Sequence, residues 1–300
     1  MKTKLYIFAL AAISMILALS SCSESEDLLS AFHSDPNAVR ITAQVGKASA
    51  NGFTRSFPLG DAEAQKNFKD GDMISVKADG QDAVTYQLNN NEWQPQGSKF
   101  LKWESETMNF TAYYPSLFNG TITQPTEYTS VESLAAADFM SFSGPQTNTN
   151  NSNNLTLTME RKMARVVVEI DGFKDQYAGA TIDNINSLSI CGVKAYKHSD
   201  NKFYALIKPC EAQNSATFIS LDVAEGTSKT TETLAGIPEL TAGNSYTYQL
   251  TVGKDKVSVS GITVKDWTTW DITGGKTEEC PTPYITFTAK AEQKFKMTRS

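Results

Sequence analysis

Apolar and polar residues alternate along most of this chain in short bursts, and helical spacing of apolar residues is scarce. The alternation predicts strands at Ile41–Val45, Met73–Ala78, Val84–Leu88, Met108–Tyr114, Leu155–Met159, Met163–Ile170, Ile182–Ile190, Phe203–Lys208, Thr217–Val223, Tyr246–Val252, Lys256–Ser260 and Ile262–Trp267. Turn residues separate them at Asp70-Gly71, Asp79-Gly80, Asn89-Asn90-Asn91, Asn119-Gly120, Asp171-Gly172 and Ala242-Gly243-Asn244, where Gly and Asn tolerate positive φ. One short helix is expected over Ser130–Ala137, with Ser130 as its N-cap and Ser133 and Leu134 in its first turn. Strands this short and this regularly punctuated imply an all-β protein of tandem antiparallel β-sandwich domains. The Asn-rich stretch Thr147–Asn154 cannot pack a core, so it marks the expected boundary between an N-terminal domain (41–150) and a C-terminal one (151–275).

The N-terminus follows different rules. Lys2 and Lys4 precede an uninterrupted apolar run from Leu5 to Leu19, which then gives way to small residues, the form of a secretory signal (1–21). Leu19-Ser20-Ser21-Cys22 resembles the lipobox of bacterial lipoproteins, so Cys22 is the expected acylation site. Acyl chains contribute about 0.8 kcal/mol per buried CH₂, and several together hold a protein to a bilayer. Residues 22–40 then read as a polar, acylated tether. Its acidic opening, Ser23-Glu24-Ser25-Glu26-Asp27, is either a solvated spacer or a sorting signal; it resembles the run that sends Bacteroidota lipoproteins to the outer face of the outer membrane.

Removing Lys2 and Lys4 with the signal takes the formal charge from −6 to −8. Without basic clusters, an acidic chain is poorly suited to nucleic acid. His33 and His198 are the only histidines, one in the tether and one in an expected turn. Neither position supplies the buried, oriented base of a nucleophilic triad, no zinc spacing is present, and no cofactor or metal is implied. Cys191, Cys210 and Cys280 remain after acylation. Cys191 and Cys210 flank an expected hairpin turning near His198–Asn201; they read as a disulfide pair or as two small buried side chains.

From Ile41 to Ile272 the chain resembles the fimbrillin family, pilin-like surface lipoproteins of the Bacteroidota. The resemblance rests on Ile41–Val45 followed by Phe53-Thr54-Arg55, on Asp70-Gly71-Asp72 before Met73–Val76, on Asn91-Glu92-Trp93 and on the strand around Trp103. It continues through Met108–Tyr114 with Pro115, Ala137-Asp138-Phe139-Met140, Leu155–Met159, Lys162–Val168 and Ile262–Trp267. Where the family usually carries a histidine before its basic-apolar strand, this chain has Glu160-Arg161, read as an exposed and minor departure. Tyr113, Tyr114, Trp93, Trp103, Trp267 and Trp270 are expected to fill sheet faces rather than bind a ligand.

The resemblance implies tandem transthyretin-like sandwiches, a surface-exposed outer-membrane location and a fimbrial structural or accessory subunit supporting adhesion. Its partners would be other fimbrillin subunits, joined by strand exchange, with a trypsin-like protease as activator and a host or bacterial receptor. The alternative is a monomeric surface lipoprotein that binds glycan or host protein through its loops. Polymerising members of the family are cut after an arginine, and the first strand leaves. Arg40 and Arg55 are the candidates. Cutting after Arg40 would remove only a polar leader, whereas cutting after Arg55 would also remove Ile41, Ala43 and Val45, which alternate as one buried face. Beyond Gly274-Gly275, residues 276–300 read as a linker with one alternating strand, Tyr284–Ala289, either a donor for a neighbour or the opening of a further module.

Overall fold

The computed structural model describes residues 26–46, 68–177, 179–198, 201–225, 228–253 and 257–266. Cys22, Ser23, Glu24, Ser25, Arg55, Trp267, Trp270 and residues 276–300 lie outside them. The chain divides into two units that interleave in sequence. Residues Phe68–Gly120 and Met140–Met159 belong to the first, together with the N-terminal segment through Gln44, and Thr121–Phe139 and the chain from Glu160 belong to the second. The expected boundary at 150/151 therefore falls inside the first unit.

In the first unit, residues 26–34 form a helix, α1, and a seven-stranded sheet follows. Its strands are β1 (Arg40–Val45), β2 (Met73–Ala78), β3 (Val84–Asn89), β4 (Glu92–Pro95), β5 (Thr107–Tyr114), β6 (Met140–Thr147) and β7 (Asn154–Arg161), in the order β1-β7-β6-β5-β2-β3-β4. Tyr114 joins Pro115 through a cis peptide bond at the end of β5. The core gathers Ile74, Val76, Tyr86, Leu101, Phe110, Leu155 and Leu157, each at most 2% exposed. The buried Tyr86 hydroxyl accepts the Leu101 N–H at 2.9 Å, and burial pushes its phenol well above the ordinary value.

The Gly71-Asp72 pair has a structural purpose. Gly71 takes φ of +93°, where a Cβ would be strained, and its N–H donates to the Leu88 carbonyl at 2.8 Å. Asp72, only 7% exposed, accepts the Lys69 N–H at 2.8 Å and the Tyr114 hydroxyl at 3.1 Å. A carboxylate buried this deeply persists because its acceptors are filled. The turn into β2 is thus fastened to the last residue of β5.

The second unit is a sandwich. One sheet runs β10-β9-β13-β14 (β9 Ile185–Ile190, β10 Val193–Lys194, β13 Gln213–Glu225, β14 Ser228–Ile237). The other runs β11-β12-β8-β15-β16 (β8 Ala164–Phe173, β11 Tyr196–Lys197, β12 Lys202–Ile207, β15 Asn244–Val252, β16 Val257–Asp266). Phe218 of the first sheet meets Tyr248 of the second edge-on, with centroids 4.9 Å apart, in one continuous apolar core. β15 pairs with β8 in parallel, an exception among otherwise antiparallel partners in this sheet. The short helix α2 (Val131–Ala136) joins this core through Leu134. Its Ser130 hydroxyl accepts the Ser133 N–H while the Ser133 hydroxyl accepts the Ser130 N–H, a reciprocal cap.

Three sequence expectations need correction here. Residues 182–184 form a 3₁₀ turn rather than the start of a strand. The predicted pair 256–260 and 262–267 is one strand, β16, whose register shifts opposite Gln249 and Leu250. The tether is not purely polar, since Leu28 and Phe32, one helical turn apart, are 9% and 0% exposed on one face of α1.

Candidate functional site

Among the described residues β1 is an edge strand whose one sheet neighbour is β7. Ile41 and Val45 are buried at 8% and 4% exposure while Ala43 is half-buried, so the expected inward face is present with its middle residue less covered. The Arg40 N–H donates to the Asn153 carbonyl at 2.8 Å. Thr42 Oγ1 meets Asn154 Oδ1 at 3.1 Å, and Gln44 Nε2 meets Thr158 Oγ1 at 3.2 Å. Partner positions rise together along both strands, as in a parallel pair. Along β7, Leu155, Leu157 and Met159 are fully buried. Without β1, one row of β7 backbone groups would lose its partners.

The chain just before β1 makes a second set of contacts. The Val39 N–H donates to the Leu101 carbonyl at 2.9 Å, the Trp103 N–H donates to the Asn37 carbonyl at 2.8 Å, and Ala38 bridges Lys102 antiparallel. Ala38 and Val39 are fully buried. The Asn-rich stretch Thr147–Asn154, expected as an unpacked interdomain boundary, is instead the tight β6–β7 connection that joins these two sets. Asn153 sits at φ of +57°, held by Asn148, whose Oδ1 accepts its N–H at 2.8 Å and whose amide donates to its Oδ1 at 3.0 Å. The Asn153 carbonyl accepts both the Arg40 N–H and the Trp103 indole N–H, the latter at 3.0 Å, and its side-chain amide donates to the Pro36 carbonyl. Asn is the L residue best suited to this left-handed backbone with side-chain bonds on both sides.

Arg40, one of the two cleavage candidates, is committed elsewhere. Its guanidinium lies 4.1 Å from the centroid of the Phe32 ring and donates to the Phe32 and His33 carbonyls at 2.8 and 3.1 Å. It thereby caps the C-terminal end of α1, where carbonyls lack helical partners and the dipole favours a cation. Around it, His33 Nε2 meets Glu92 Oε1 at 2.9 Å, and Lys102 Nζ meets Asp35 Oδ2 at 2.7 Å. Burial alone would raise the Glu92 carboxyl, but hydrogen bonds from Gln94 and His33 carry it below its ordinary value. The Lys102 hydrogen bond lowers Asp35. The expectation that a cut after Arg40 removes only a polar leader is therefore corrected, because Leu28, Phe32, Ala38 and Val39 would leave buried sites.

Glu26 and Asp27 are exposed at the start of the described part of α1. The expected hairpin pairs Tyr196 with Tyr204, and Cys191 and Cys210 both pack against the core of the second unit, near enough that Cys210 adds to burial in raising the Cys191 thiol. Cys191 follows β9 in the four-stranded sheet, and the chain changes sheets between β10 and β11 before reaching Cys210, which bridges Leu240. Both thiols are free, and burial pushes Cys191 up to about 12. His198 lies between the rings of Tyr196 and Tyr204, with centroids 6.1 and 5.9 Å away. Among the described residues, no group of three or more His, Cys, Asp or Glu is gathered to hold a metal ion.

One feature was misread from sequence. Arg161, taken as exposed, is 5% exposed, and its Nε donates to both oxygens of the buried Asp138 at 3.0 and 3.1 Å. Asp138 follows α2 and Arg161 ends β7, both within the second unit, so the pair fastens the α2 segment to the end of that strand. Burial pushes the Asp138 carboxyl up while Arg161 pulls it down. Nearby Arg165 donates to Ser245 Oγ at 2.8 Å, and burial, reinforced by the Arg161 charge, lowers it to about 10.

The described residues form an all-β protein of two units with β1 at a sheet edge. The chain belongs to the fimbrillin-like family, whose model matches residues 54–267. No curated protein matches it. Among solved structures it is similar to a candidate cell-adhesion protein from Bacteroides uniformis, at 17% identity and a TM-score of 0.51 over 78% of this chain and 100% of that one. A candidate cell-adhesion protein from Bacteroides ovatus aligns at 14% identity and a TM-score of 0.52, over 78% of this chain and 99% of that one. The tip fimbrial protein Mfa3 from Porphyromonas gingivalis, with a C-terminal truncation, aligns at 9% identity and a TM-score of 0.43, over 76% of this chain and 99% of that one.

Proposed function

We propose that this chain is exported, acylated on Cys22 and displayed on the outer face of the outer membrane, where it serves as a fimbrial structural or accessory subunit that supports adhesion. Subunits join by β-strand exchange, in which an extended segment of one fills the sheet position that β1 holds in the next. One observation carries this reading: among the described residues β1 lies at the edge of its sheet beside β7 alone, and its departure would leave that edge of β7 unpaired. The leaving strand is bounded by Arg55, the proposed site of a trypsin-like protease. Arg40 is a poor second choice because its guanidinium is bound to α1 and its N–H to the Asn153 carbonyl.

Surface material run on a denaturing gel without boiling provides the test. A ladder of multimers that persists on moderate heating is expected, since exchanged strands resist separation. A lone monomer band from cells that display the protein would instead favour the monomeric binder of glycan or host protein.

A further inference from the structure

We propose that residues 26–45 form one plug, a helix and a strand that dock as a unit onto a two-part surface, so that a chain severed beyond β1 keeps the plug until a competing segment displaces it. The inference rests on the strand-exchange reading for what the competitor is, and on geometry for the docking itself.

Three observations support it. The plug's footprint has two halves, with residues 37–39 on the Leu101–Trp103 segment and residues 40–45 on β7. These halves meet at Asn153, which bonds to the plug at both Pro36 and Arg40. Next, α1 is not a free leader. Phe32 is fully buried and packs edge-on against Phe100 at 5.5 Å, while His33 and Asp35 reach Glu92 and Lys102. Finally, Arg40 lies in β1 yet holds two carbonyls and one ring of α1, so strand and helix cannot part without losing its bonds. None of these contacts depends on the peptide bonds that connect β1 to β2.

The footprint also defines what can replace the plug. An extended segment of at least nine residues, spanning about 30 Å at roughly 3.3 Å per residue, would be needed to satisfy both halves. It would carry apolar residues at the positions of Ala38, Val39, Ile41 and Val45, with polar ones at Thr42 and Gln44, which face solvent or polar partners. The occupant proposed is such a segment from a second copy of this chain. Arg40 is a positioning residue that makes α1 part of the barrier.

The test inserts a recognition sequence for a site-specific protease between Gly46 and Asn67 of the full-length chain, immobilised through a C-terminal tag. After cutting, the N-terminal fragment remaining on the resin is followed by mass spectrometry through successive washes. The expected result is retention over hours. Arg40→Gln, verified as folded by circular dichroism before cutting, is expected to release the fragment at least tenfold faster, and Phe32→Ala similarly. Immediate release from the unsubstituted chain overturns the plug, and equal release from Arg40→Gln overturns its role as coupling residue. A retained fragment that no excess of a second, plug-free copy displaces would leave the docking standing and refute strand exchange instead.

Discussion

Replacing Asp138 by asparagine removes the charge that Arg161 faces while preserving shape. Both side chains are 1% exposed and meet through two contacts of 3.0 and 3.1 Å, so water cannot substitute for the lost carboxylate. Breaking one partner of such a pair costs about 3–5 kcal/mol, because the remaining charge stays buried. Here the cost is deepened by Arg165, a second buried cation that already feels the Arg161 charge. With a urea m-value of about 2–3 kcal/mol/M for a unit of this size, the midpoint should fall by about 1–2.5 M. Urea unfolding followed by circular dichroism measures it, and hydrogen exchange assigns the loss to β7, β8 and α2. Asp138→Leu combined with Arg161→Met should recover most of the loss, since both charges leave together. A decrease below about 1 kcal/mol for Asp138→Asn, with normal protection of β7, would refute the view that this pair fastens α2.

Further outcomes follow from the same contacts. Asp72→Ala strips acceptors from the Tyr114 hydroxyl and the Lys69 N–H and should cost about 2–3 kcal/mol in unit-one stability, read by thermal unfolding. Acid should loosen the plug: Asp35 and Glu92 have lowered carboxyl values in the folded chain, so their stabilisation is present above the unfolded value and lost as pH falls through the folded one. Fragment release in the severed chain should therefore accelerate below about pH 4. Cys191, with its thiol pushed up to about 12, should react with iodoacetamide at pH 8 far more slowly in the folded chain than in urea, as peptide mapping would show.

Strands whose inward residues are apolar were legible from alternation: β2, β3, β5, β7, β8, β12 and β15 lie where the pattern places them. β14 was not, because its inward positions include Thr230 and Glu232, which satisfy the Tyr177 hydroxyl at 2.8 and 2.6 Å instead of presenting hydrocarbon. α1 was hidden by its brevity and its acidic start, which reads as a tether, although Leu28 and Phe32 carry the four-residue spacing of a buried face. Ser130 showed its helix through cap chemistry alone. For the candidate site, the sequence located the alternating face of β1 but not its neighbour, since pairing with β7 joins residues over a hundred positions apart. Nothing local announces that Arg161 finds Asp138, or that an asparagine-rich loop is the hinge pin of the N-terminal segment.

The most direct test of strand exchange is the N-terminal sequence of the protein recovered from assembled surface fibres. The account predicts a mature chain beginning at Ser56, with α1 and β1 gone and the β7 edge occupied by another subunit. A chain in those fibres that still begins at the acylated Cys22 would contradict it.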